Sequence, residues 1–111
     1  MGRCLPGALN HYAAVIAATG DLTQALALYR SALAYNRELD KPDDEAISLE
    51  GIAECTLTAG DTGGATDYLR QALKTYQRLG MRLDNDRVRS RLADLHPASE
   101  PEPPSIRRRP A

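Results

Sequence analysis

Three glycines fall within residues 59–65, AGDTGGA, immediately ahead of a helix-like stretch. A glycine-rich turn leading into a helix can cradle phosphate, because free backbone amides and the positive end of the helix dipole face the anion together. A phosphate loop also wants a preceding strand and, for nucleotide hydrolysis, a Lys-Ser/Thr pair. This stretch has neither, so it reads as a turn. Other reactive side chains are sparse. His11 and His96 are the two histidines, far apart in the chain, and no Ser/His/Asp or Cys/His grouping is recognisable. Asp40, Asp43, Asp44 and Glu45 cluster, but at a helix start, where capping and the dipole account for acids. They lack the central glycine of a calcium loop. Cys4 and Cys55 make no disulfide framework and read as small buried or half-buried thiols. The expectation is no catalytic residue, no metal and no cofactor.

The elements that position these residues are helical. Hydrophobic residues make up 42% of the 111, dominated by Ala and Leu, with no Trp or Phe and five Tyr. Such a core is thin and suits close helix packing. Net charge is −1, which points to neither nucleic acid nor an anionic membrane. No apolar run approaches the ~20 residues of a membrane span, and a cytoplasmic setting is the default. Arg outnumbers Lys twelve to two, a bias of GC-rich bacterial genomes.

The chain repeats itself at an offset of 40. Leu9 meets Leu49, Ala13 meets Ala53, and Gly20-Asp21 meets Gly60-Asp61. Further on, Ala25 meets Ala65, Arg30 meets Arg70, and Ala32-Leu33 meets Ala72-Leu73. One gap-free register of small and apolar residues is the signature of a packed helical repeat. Each unit reads as two helices. Gly20 stops the first, and Asp21 caps the next with Gln24 three residues on. Ala25, Leu28, Tyr29, Ala32, Leu33, Asn36 and Leu39 then form one stripe. In the second unit Pro42 and three acids open a helix; Ala65, Tyr68, Leu69, Ala72, Leu73, Tyr76 and Leu79 line its partner. The resulting division is an extension over 1–6, repeat 1 over 7–40, repeat 2 over 41–80, and a capping helix over 84–96. The tail 97–111, with five prolines in fifteen residues and Arg107, Arg108 and Arg109, reads as disordered. Gly63 and Gly64, each costing up to ~1 kcal/mol against alanine in a helix, mark where the second unit frays first.

These residues resemble the tetratricopeptide repeat: Leu9, Ala13, Gly20-Asp21, Ala25, Tyr29, Ala32-Leu33, and again Leu49, Ala53, Gly60-Asp61, Ala65, Leu69, Ala72-Leu73. Leu replaces the large aromatic that opens the first helix in both copies, the closing proline is absent, and the period exceeds the usual ~34 residues. Residues 45–95 are similar to the C-terminal repeats of bacterial SARP-type and NTPase-containing transcription regulators. The chain has no winged helix and no Walker motif, so DNA binding and nucleotide hydrolysis do not carry over. The resemblance implies an all-α fold, with antiparallel helix pairs stacked as a short right-handed solenoid of about five helices.

It also implies a role in protein–protein contact. First helices of successive units line a concave groove in that family. Register then places Asn10, Ala14 and Ala17 there from unit one, and Glu50, Glu54 and Leu57 from unit two. Glu50 and Glu54 lie four apart, a like-charge pair that either favours a basic or amine-bearing ligand or is simply a pair of exposed glutamates with Lys or Arg neighbours. Arg87, Arg89 and Arg91 spread around their helix and read as a solubilising surface. The partner is another protein or peptide, or a second copy, since two and a half repeats fall below the ~3 needed for independent stability. An alternative is a self-associating structural segment serving an attached DNA-binding or NTPase domain, with no groove of its own.

Overall fold

The structure is a computed structural model that describes residues 6–95. The expectations for residues 1–5, Cys4, His96 and the 97–111 tail lie outside the described residues. Five helices follow one another: α1 Pro6–Ala18, α2 Leu22–Glu38, α3 Pro42–Thr58, α4 Thr62–Leu79 and α5 Arg82–Leu95. No strand occurs among the described residues, and the all-α repeat architecture expected from the offset is the one observed. The last helix starts at Arg82, two residues ahead of the expected 84.

Local chemistry sets the helix ends. Gly20 and Gly60 adopt φ of 95° and 96°, a left-handed backbone that a side chain would strain. The Asp21 carboxylate accepts from the Gln24 amide at 3.1 Å, and Asp61 accepts from Gly64 at 2.9 Å. Each cap satisfies one of the amides that a helix start leaves without a partner. Pro42 sits in the first turn of α3, followed by Asp43, Asp44 and Glu45 at the positive dipole end. At the end of α2 a non-glycine, Asp40, takes φ 54°, where its counterpart forty residues on is Gly80 with φ 71°.

Each helix packs on its neighbour in sequence, and α1 also packs directly on α3. Ala13, Ala25, Tyr29, Ile52 and Cys55 make one core cluster; Ala46, Leu49, Ala53, Ala65, Leu69, Ala72, Tyr76 and Val88 make the other. Six of these thirteen are alanines, and small side chains let the helix axes approach closely. Leu9, Leu33 and Leu73 are half-buried around them. A polar clasp ties the first three helices together. Ser48 of α3 donates to Asn10 Oδ1 of α1 at 2.7 Å and accepts from Asn36 Nδ2 of α2 at 3.2 Å. Asn10 Nδ2 donates to the Asp44 carbonyl at 3.1 Å.

Candidate partner groove

The face built from α1, α3 and α5 holds the candidate site, and the repeat offset makes its two junctions directly comparable. At the α1–α3 junction Gly51 is buried inside α3 with the Tyr29 ring of α2 laid over it. A Cβ at Gly51 would come within 2.2 Å of that ring, so only glycine allows the tyrosine to pass between α1 and α3. Tyr29 is 8% exposed, yet its hydroxyl exchanges no hydrogen bond with a described residue. Burial first, then the nearby Cys55, Glu50 and Glu54, pushes its proton affinity up. Two clefts meet at this ring. One, of about 550 Å³, runs between α1 and α3 past Ala14, Ala17, Leu22, Cys55 and Glu54. The other, of about 410 Å³, lies toward α5 between Glu50, Glu54 and Arg87.

The α3–α5 junction is built from the counterparts and is closed. Leu69 replaces Tyr29, Arg91 replaces Gly51, and Glu54 replaces Ala14. The Arg91 guanidinium takes both Glu54 oxygens, each at 2.8 Å. Above it, Arg87 grips Glu50 through Nε at 3.3 Å and Nη2 at 2.6 Å, and reaches Asp84 at 2.6 Å. The fully buried Tyr76 donates its hydroxyl to the same Glu50 carboxylate, and Arg87 lies 5.9 Å from the Tyr76 ring centroid. Desolvation and that hydrogen bond push Tyr76 well up, and its pairing with Glu50 pushes Arg87 up. Unlike α1, α5 makes no close backbone approach to α3, and these long side chains span the gap above the shared core.

Several sequence expectations are corrected here. Of the two readings of Glu50 and Glu54, the structure has the one with basic neighbours, each carboxylate being matched by its own arginine. Arg87 and Arg91 are four apart on one face of α5 and serve that pairing, not solubility alone. Asn10 does not line the groove: it is 5% exposed and turned into the clasp with Ser48. Leu57 packs half-buried against the α3–α4–α5 core. Ala14 and Ala17 do border the first cleft, Ala14 exposed and Ala17 half-buried. The residues missed were Gly51, Tyr29 as a groove residue, and the two arginines. A lone glycine inside an otherwise apolar helical stripe was the available signal for a close approach.

Catalytic chemistry gains nothing from the geometry. Cys55 is buried and its thiol is pushed up, chiefly by desolvation and then by Glu54, which suppresses the reactive thiolate. His11 is exposed on α1. Among the described residues no group of three potential metal ligands forms, and no helix is long and apolar enough to cross a membrane. Compared with known families, residues 5–78 match the model described as "Tetratricopeptide repeat". That span covers α1 to α4 and stops short of α5. Neither a curated protein nor a solved structure matches the chain.

Proposed function

The chain belongs to the tetratricopeptide repeat family, whose repeats are generally protein–protein interaction modules, and on that premise we propose that it is a non-catalytic module binding a partner segment on its α1–α3–α5 face. The observation that carries this reading is the open α1–α3 cleft, where a nearly buried tyrosine offers an unengaged hydroxyl. That hydroxyl opens onto the cleft and not into the core, so it can exchange a hydrogen bond with a ligand lying there. The test is a random-peptide display selection on the folded chain, followed by amide shift mapping of enriched peptides. Shifts confined to α1, α3 and Tyr29 support the reading; enriched peptides that map to α2 and α4 sink it.

We further infer a regulatory setting: the C-terminal segment, or a stand-alone relative, of a bacterial transcription regulator acting in the cytoplasm, without nucleic-acid contact of its own. That inference rests on the resemblance read from the sequence of residues 45–95 alone. A neighbouring gene or upstream frame encoding a DNA-binding or NTPase domain is the expected finding.

A second reading, self-association, is favoured by α1. That helix carries no Asp, Glu, Lys or Arg, and it leaves Tyr12 50% and Val15 48% exposed. A helix without a charged face that leaves large apolar side chains in water gains from being covered. Sedimentation of the chain and of Tyr12→Glu/Val15→Glu separates the two: a dimer lost in the variant supports self-association, and a monomer in both excludes it.

A further inference from the structure

The two junctions of the groove differ in one respect that bears on the ligand. At the second, the chain fills the groove with its own arginine. At the first, the same position is Gly51 beneath the Tyr29 ring, and Ala14 stands where the second junction has its carboxylate, which leaves an open cleft beside the ring. Ala14, Ala17 and Cys55 form a small apolar wall for an aliphatic stem, and long cationic side chains bury such stems readily. Glu54 stands at the mouth, 49% exposed on its side chain although paired with Arg91. A carboxylate has about four acceptor positions, of which Arg91 uses two. The Tyr29 hydroxyl supplies a further acceptor. Charge agrees: α1 has no charged residue, and α3 has five carboxylates and no Lys or Arg.

We propose that the α1–α3 cleft binds an arginine side chain of an extended partner segment, its stem against Ala14, Ala17 and Cys55 and its guanidinium at Glu54 and the Tyr29 hydroxyl. This rests on the reading of the α1–α3–α5 face as a partner groove and gives that groove its specificity. Arginine is favoured over lysine because a planar fork can share a carboxylate and a phenol at once, which a point charge does less well. Arg91 already shows this carboxylate holding a guanidinium with both of its oxygens.

The experiment is a titration of the isotope-labelled chain with an acetylated, amidated pentapeptide, Gly-Ala-Arg-Ala-Gly. Its controls carry citrulline, leucine or glutamate at the centre. The expected result is shifts at Ala14, Gly51 and Cys55 that saturate with the arginine peptide. Citrulline, of the same shape without the charge, should bind about tenfold or more weakly. Tyr29→Phe should weaken arginine binding about two- to tenfold with the fold intact. Ala14→Leu plugs the mouth and should abolish binding; its exposed counterpart is Glu54, so a large side chain is tolerated at this position. Equal binding of citrulline and arginine overturns the proposal, as do arginine shifts centred on Arg91. If the leucine or glutamate peptide binds this face better than the arginine peptide, the inference fails while the groove reading stands. If no peptide shifts the face, both fall.

Discussion

Gly51 and Arg91 occupy the same place in successive repeats, forty residues apart. The first is a bare Cα beneath the Tyr29 ring and the second a guanidinium clamped on Glu54. Two junctions of one architecture therefore end in opposite states, one open and one closed. The choice is made by a pair at each: tyrosine with glycine, or leucine with arginine. Neither member can change alone without affecting the other.

Gly51→Ala tests that coupling. An alanine gains up to ~1 kcal/mol of helix propensity over glycine, but its Cβ would stand 2.2 Å from the Tyr29 ring. Overpacking of this kind costs about 1–3 kcal/mol, and the ring is rigid and hemmed in, so the clash prevails. The variant should lose about 1–2 kcal/mol in denaturant unfolding. Adding Tyr29→Leu, the solution that nature uses at Leu69, should recover much of the loss. If the double variant is only the sum of the two single ones, the coupling does not exist.

The ion pairs on α5 should differ from one another in energy. Arg87 joins Glu50, Asp84 and the Tyr76 ring, and the Glu50 side chain is only 20% exposed. Arg91 is hydrogen-bonded to Glu54, with both partners substantially exposed and Asp94 acting only at a distance. Exposed pairs are worth ~0–1 kcal/mol, and a cation–π contact adds about 0.5–1. Arg87→Gln should cost about 1 kcal/mol and Arg91→Gln about 0.5 or less. In ~1 M salt, where screening acts over about 3 Å, the Arg91 effect should vanish first. Equal costs that ignore salt would count against this account of how α5 is held.

The helices, their caps and their order were legible in the sequence because they rest on local chemistry. Gly20, Asp21, Gly60 and Asp61 act within one turn of themselves, and the apolar stripes report the period directly. The groove was less legible because its residues act across helices. Nothing in the local pattern around Glu50 tells that Arg87 will reach it from 37 positions away. Asn10 was assigned to the groove by register, yet the clasp with Ser48 and Asn36 turns it inward. In the second unit Glu50, Tyr76 and Val88 stand in for Asn10, Asn36 and Ser48, so the clasp becomes a single bond from the Tyr76 hydroxyl to Glu50 over an apolar valine. A transfer of register preserves position on the helix but not what the neighbouring helix offers.

Alkaline conditions should unfold the protein through three groups. Burial is the first cause in each case: Cys55 is raised from 9.0, and Tyr29 and Tyr76 from 10.0. Below those values both folded and unfolded chains keep the protons, and the native state retains its full stability. As pH climbs past about 9 for the thiol and about 10 for the phenols, the unfolded chain ionises first and stability falls. Melting temperature against pH should therefore drop on the alkaline side. Tyr76→Phe should flatten that drop, since it removes the phenol that donates to Glu50. A curve for Tyr76→Phe parallel to the wild type would show that this group carries none of it.

The glycine pair at the start of α4 gives the sharpest contrast within two adjacent residues. By propensity alone Gly63 and Gly64 are equal burdens on the helix, and both substitutions to alanine should stabilise. The surroundings separate them. A Cβ at Gly63 meets only an Asp61 oxygen at 3.9 Å, an ordinary contact. At Gly64 it would come within 2.5 Å of Asp61 Oδ2 and 3.1 Å of the Thr56 methyl. The Asp61 carboxylate can swing away, but it is the cap of this helix and holds the Gly64 amide at 2.9 Å. Losing a cap costs ~1 kcal/mol, about what the alanine gains. Gly63→Ala should therefore stabilise by about 0.5–1 kcal/mol, and Gly64→Ala by nothing or less. Hydrogen exchange over residues 62–66 reads both: slower in Gly63→Ala, unchanged or faster in Gly64→Ala. The same slowing in both variants would mean that Asp61 does not anchor this turn, and that its fraying is a matter of propensity alone.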